Sequence, residues 1–161
     1  MNRPRVAIAL PMLVVFLTAA VLLPLAADAQ APAAPTQPAA PSLYKRLGGY
    51  DAIAAVVDDF IGRLATDATQ SRFFVGHSGD SKGRIRQLIV DQLCAATGGP
   101  CVYLGRDMKT AHKGLGITEA DWTTSVGHLV ASLDKFKVPQ KEKDELLAIA
   151  SSIKKDIVEK P

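Results

Sequence analysis

The chain carries few of the groups that covalent chemistry needs. Its 161 residues include two cysteines, three histidines and one tryptophan, and only 6% are aromatic. The carboxylates are not clustered at the spacing of a hydrolase. No Ser-His-Asp elbow or phosphate-cradling glycine loop occurs. Basic and acidic residues are interspersed, with no basic stripe and no interleaved aromatics, so nucleic acid is a poor candidate partner. There is no internal repeat. No stretch alternates apolar and polar residues convincingly, which argues against a sheet protein.

What is present begins with a leader. Arg3 and Arg5 precede an almost wholly apolar run from Val6 to Ala27, and Ala27-Asp28-Ala29 supplies an A-x-A cleavage pattern before Gln30. Residues 1–29 therefore read as a secretory signal peptide. The run is also long enough to span a bilayer, which would leave the chain membrane-anchored if the leader stays. Pro11, Pro24 and the cleavage pattern favour removal, and a periplasmic or secreted protein without stable membrane association. Losing Arg3, Arg5 and Asp28 lowers the formal charge from +3 to +2. Residues 30–42 are mostly Ala, Pro and Gln and cannot bury enough surface to offset ordering, so they read as a linker. Residues 43–161 remain for one modest core. Cys94 and Cys101 flank Ala-Ala-Thr-Gly-Gly-Pro, a segment that must turn. An oxidising compartment favours a disulfide between them, worth roughly 2–3 kcal/mol on the chain-entropy account. The other reading is one buried thiol and one exposed.

Apolar spacing at three- and four-residue steps predicts about five helices. Ser42 caps a first helix at Leu43–Leu47, which Gly48-Gly49 stops. A second, Asp51 to Leu64, turns Ile53, Val56, Val57, Phe60, Ile61 and Leu64 to one face and leaves Asp58, Asp59 and Arg63 solvated. Phe73 and Phe74 are adjacent and cannot both point the same way. After a polar loop at Gly76–Ser81, a third helix from Lys82 to Ala96 buries Ile85, Leu88, Ile89 and Leu93. Gly98-Gly99-Pro100 ends it. Thr118-Glu119-Ala120-Asp121 predicts a capping box for a helix reaching about Lys135, with Trp122, Val126, Leu129, Val130 and Leu133 inward. One last helix starts at Pro139 and turns Leu146, Ile149, Ala150, Ile153 and Ile157 inward.

Between the third and fourth long helices, Gly105-Arg106-Asp107-Met108-Lys109-Thr110-Ala111-His112-Lys113-Gly114-Leu115-Gly116 places His112 on the last turn of a short helix. Met108 precedes it on the same face. An imidazole held so can serve as an axial ligand to a metal or haem iron. The alternative is a packed histidine.

Several pieces decide between these. They are Leu43-Tyr44-Lys45-Arg46-Leu47-Gly48-Gly49, Val57-Asp58-Asp59-Phe60, Phe73-Phe74, Gly98-Gly99-Pro100, Tyr103, Gly105 to His112, Gly116-Ile117-Thr118, Val126-Gly127-His128-Leu129 and Val138-Pro139. Together they resemble a group I truncated haemoglobin, an all-α globin folded as a two-over-two helical sandwich, over essentially Leu43 to Ile157. The resemblance implies a haem with His112 as the proximal iron ligand. Phe74 then packs against the porphyrin and Met108 touches its proximal side. Tyr103 and Ile117 lie near its edge. Trp122 stands where the family usually has Phe and lines the pocket. Neither cysteine sits in a Cys-x-x-Cys-His run, so covalent attachment of the c type is not indicated, and the haem expected is haem b. The implied partners are a diatomic gas (dioxygen, nitric oxide or carbon monoxide) and an electron source such as a reductase.

The distal side departs from the family. Many members follow the residue matching Phe60 with Tyr and carry Gln on the third helix, whereas this chain has Ile61, Ile85 and Ile89. An apolar pocket cannot donate to dioxygen, and a missing charge-assisted donor costs about 1.5–3 kcal/mol. Gln92 is the one nearby amide, a turn beyond Ile89. His77 is a candidate sixth ligand or an exposed loop residue. His128 reads as a hydrogen-bonded structural histidine. Arg84, Arg86 and Arg106 are propionate partners or ordinary solvated charges. Gas binding is the first reading, as an oxygen carrier or in a nitric-oxide-related role. The apolar distal side weakens turnover of the nitric oxide dioxygenase kind. An extracytoplasmic haem redox or carrier module is the second reading. A globin that has lost haem is the third, and His112, Phe74 and Met108 oppose it.

Overall fold

A computed structural model describes residues 40–160. The predicted leader and nearly all of the linker lie outside the described residues. The elements are α1 (Leu43–Arg46), α2 (Gly49–Thr66), a 3-10 turn (Ser71–Phe74), α3 (Gly79–Ala96), α4 (Met108–His112), α5 (Glu119–Lys135), α6 (Gln140–Ser152) and α7 (Lys154–Ile157). Among the described residues the only extended pairing is an isolated bridge between Thr118 and Lys160.

Helix α2 is the centre of the fold because it buries two faces. Ile53, Ala54 and Val57 pack with Val90 of α3. One residue round, Val56 packs with Leu129 and Leu133 of α5 and Leu146 of α6. The pairs α2/α3 and α5/α6 thus form a two-over-two sandwich, and each fully buried Val or Leu stabilises it by about 1.5–3 kcal/mol. Between α1 and α6, Arg46 reaches Glu142 at 3.0 Å and also pairs with Glu145.

Four expectations are corrected. Helix α3 starts at Gly79, not Lys82, because the Ser78 hydroxyl caps it by accepting from Ser81 N–H at 3.1 Å. Its buried residues are Val90 and Cys94. Ile85, Leu88, Ile89 and Leu93 are only half-buried, since the helix turns a neighbouring face to α2. Asp59 is not solvated. It accepts from Arg63 Nε at 2.7 Å and from Ser132 Oγ at 2.8 Å across the α2–α5 junction, and it pairs with Lys135. These partners, Lys135 first, hold its carboxyl well below the usual carboxylate range. The last helix is two, α6 and α7. Near the break the Ser152 hydroxyl donates to Ile149 C=O at 2.7 Å and competes with the backbone ladder.

Cys94 and Cys101 form a disulfide, with Cα atoms 5.7 Å apart. It ties the buried end of α3 to the segment that leads into α4. Gly99 sits inside that turn, where a Cβ would lie 2.5 Å from the Tyr44 ring and 2.7 Å from Cys94 Sγ, so no larger residue fits. Reducing the bridge, or the Cys101→Ser substitution, should lower stability by about 2–3 kcal/mol. That corresponds to a melting temperature lower by on the order of 10 °C. Calorimetry with and without reductant checks this. A shift of about 1 °C or less would show that the bridge does not constrain the unfolded chain.

Candidate functional site

Helix α4 has only five residues and cannot hold itself by helix propensity. It is held at both ends instead. Asp107 caps it by accepting from Thr110 N–H at 2.8 Å. Beyond it, Gly114 (φ +82°) and Gly116 (φ +65°) turn the chain through the left-handed region, which glycine enters without strain. The helix packs chiefly against α7.

His112 is half-buried, and its Nδ1 lies 2.8 Å from Met108 C=O. A carbonyl only accepts, so Nδ1 carries the proton and Nε2 keeps its lone pair outward. That is the tautomer of an imidazole ready to ligate a metal. Sequence reasoning noticed Met108 for its side chain. The backbone carbonyl orients the ring.

The predicted wall residues share an unusual burial. Phe60, Ile61, Phe74, Ile85, Ile89, Tyr103, Met108 and Trp122 are all half-buried, as is His112, and Ile117 alone is buried. Large apolar side chains from α2, α3, α5 and the turns are thus neither in the closed core nor free in solvent. Ile61 and Ile89 come together on the α2/α3 cluster. Phe60 does not join them, because one step round the helix it packs on the α2/α5/α6 cluster. Phe73 lies under the Arg72 guanidinium, 4.5 Å from its ring centre. The Tyr103 hydroxyl donates to Arg106 C=O at 2.6 Å and is spent within its own loop.

A buried polar knot fixes the Phe74 turn to α5. Arg72 grips both Asp121 oxygens at 2.8 and 2.7 Å. Gln70 donates to Asp121 C=O at 3.3 Å and accepts from Ser125 Oγ at 3.1 Å. Asp121 also completes the predicted capping box with Thr118. The Thr118 backbone N–H, first among these groups, pulls its carboxyl below the usual range. Sequence reasoning found Asp121 only as a cap, because its partners lie about fifty residues away.

The other candidates fall as follows. His128 Nε2 meets Asp67 Oδ2 at 2.9 Å, the structural role predicted for it. Arg86 makes a two-point ion pair with Asp58 at 2.8 and 2.9 Å and clamps α3 to α2, so it is not a free propionate partner. Arg84 and Arg106 are exposed, as is His77 in the short loop before α3. Gln92 is half-buried, and Gln87, which sequence reasoning passed over, is turned to Tyr50 Oη at 2.7 Å and to Asp91. Glu159, also passed over, accepts from Gly114 and Gly116 N–H just after His112, and these bonds hold its carboxyl below the usual range.

Among the described residues no group of three His, Cys, Asp or Glu side chains could hold a bare metal ion. A single imidazole with a free Nε2, in a chain that leaves a set of large aromatic and aliphatic side chains only half-buried, suits an iron whose other ligands come from an apolar macrocycle. The donor set therefore fits a haem.

Comparison with known proteins agrees. The profile of the bacterial-like globin family matches residues 42–159. The chain is 34% identical over 116 residues to the group 1 truncated haemoglobin GlbN of Mycolicibacterium paratuberculosis, covering 72% of this chain and 83% of that protein. It is 34% identical over 139 residues to the group 1 truncated haemoglobin LI410 of Chlamydomonas moewusii, covering 84% and 78%. Among solved structures, the 2/2 haemoglobin of Synechococcus sp. PCC 7002, in the cyanomet state with covalently attached haem, superposes with a TM-score of 0.66. It is 30% identical and covers 73% of this chain and 98% of its own.

Proposed function

Because the chain belongs to the bacterial-like globin family, as a group 1 truncated haemoglobin, its membership implies haem-based gas binding, and we propose that it holds haem b through His112. The observation that carries this reading is the Nδ1 contact to Met108 C=O, which leaves the Nε2 lone pair free to ligate. The haem iron, when bound, supplies reversible ligation of a small diatomic gas. The chain's own part is to orient the ring from α4, to offer Phe74, Met108 and Trp122 to the porphyrin faces, and to keep water away with Ile61, Ile85 and Ile89. Those isoleucines give the gas no hydrogen-bond donor, and Tyr103 and Gln87 are engaged elsewhere. This favours binding over turnover, and favours nitric oxide and carbon monoxide over tight retention of dioxygen. Export by the leader, with a reductase as electron source, completes the proposal.

A redox or carrier role would need a second protein ligand. His77 is its candidate, and the exposed position of that residue favours the gas-binding reading. Adding haemin to the purified chain tests the proposal. A Soret band should form, with a five-coordinate ferrous spectrum that shifts on carbon monoxide. No Soret band would sink it, and a six-coordinate ferrous spectrum would move the assignment to the redox reading.

A further inference from the structure

We propose that Glu159 is the positioning residue for the iron ligand, holding the turn after His112 in the one conformation that presents its imidazole; this rests on His112 being that ligand. The Glu159 carboxylate bridges the turn. Oε1 accepts from Gly114 N–H at 2.7 Å, and Oε2 accepts from Gly116 N–H at 2.6 Å. Both donors sit at left-handed glycines, whose backbone is otherwise the freest in the segment. Each oxygen is committed to a different donor, so the pair fixes both the position and the tilt of the turn, as charge-assisted bidentate contacts do.

The same C-terminal segment is sewn on just beyond. Glu159 and Lys160 N–H both donate to Ile117 C=O, at 2.9 and 3.2 Å, and Ile117 is buried. Helix α7 delivers this segment and is also the main packing partner of α4. Few other constraints act on that end of α4. Its last turn carries no side-chain cap, and after His112 the helix is closed only by the Leu115 N–H to His112 C=O bond at 3.1 Å. The Met108 carbonyl sets the rotation of the ring. Glu159 sets where the turn bearing that ring stands.

Three chains test this: wild type, Glu159→Ala, which removes both acceptors, and Glu159→Gln, which keeps one. In the haem-free chain, the Gly114 and Gly116 amide proton resonances should move upfield in Glu159→Ala, and Glu159→Gln should move only one of them. In the haem-loaded chain, Glu159→Ala should shift the ferrous iron–histidine stretching band. It should also release haem to an apomyoglobin acceptor about ten-fold faster, the lower end for groups that orient a metal ligand, with Glu159→Gln between. Lys155→Ala, an exposed change on α7, should leave all three readings at wild-type values. Unmoved glycine amides would overturn the bridge. Moved amides with an unchanged iron–histidine band and release rate would make Glu159 a structural clasp only and overturn the positioning role. A wild-type chain that shows the glycine amide pattern yet never takes up haem would fail the functional reading, a result distinct from either of these.

Discussion

His112→Ala should lose haem affinity by more than about 100-fold, exceeding the upper end for mutations that touch only the groups behind a metal ligand. Among the described residues, no other histidine is placed to replace it. His128, on α5, is held by Asp67 at 2.9 Å, and His77 stands exposed in the loop before α3. The apolar walls would still receive a porphyrin weakly, so some broadened absorption should survive while the sharp Soret band and the iron–histidine band vanish. Supplying imidazole in solution should restore the band, because the alanine leaves room where the ring stood. The fold should barely change. His112 contributes one hydrogen bond, to a carbonyl within its own short helix, and far-ultraviolet circular dichroism should match wild type. Retention of native haem affinity would remove His112 from the iron.

The second large effect is expected at Ile61, on α2. Ile61→Tyr would place a phenol beside Ile89 on the α2/α3 cluster. A donor to the partly negative oxygens of the bound gas is worth about 1.5–3 kcal/mol, so dioxygen release should slow by roughly 10- to 150-fold. Carbon monoxide release should change far less, because its oxygen gathers little charge. The added ring carries a packing cost of about 1–3 kcal/mol, which a melting curve would register separately. Stopped-flow displacement of dioxygen by carbon monoxide reads the effect. Unchanged release would mean that residue 61 does not face the gas.

The helices were legible because burial leaves a period. Ile53, Val56 and Val57 announce that α2 is buried, though not that it serves two clusters, and Thr118 with Asp121 announces the start of α5. What periodicity cannot say is which half-buried residue faces a cleft and which a neighbour. Ile85 and Ile89 look like core from spacing alone, yet Val90 and Cys94 are the buried residues of that helix. Asp59 and Arg86 look like solvated charges, and each closes a junction with partners 28 to 76 residues away. The candidate site follows the same division. His112 and Phe74 were found by their local setting and by resemblance. Arg72 with Asp121, and Glu159 with the glycines, join residues dozens of positions apart, and no local pattern marks such pairs.

The acceptor that orients His112 is a main-chain oxygen, and every amino acid has one. Exchanging Met108 for leucine or alanine would change the side chain on that face of α4 but would leave the tautomer of the ring untouched. A scan of single substitutions would therefore pass over the group that decides which imidazole nitrogen is available. It could be reached only by unwinding the turn itself, as proline at Ala111 would. The tautomer of His112 is thus insulated from side-chain drift, while Ile61, Ile85 and Ile89 can each be altered one residue at a time.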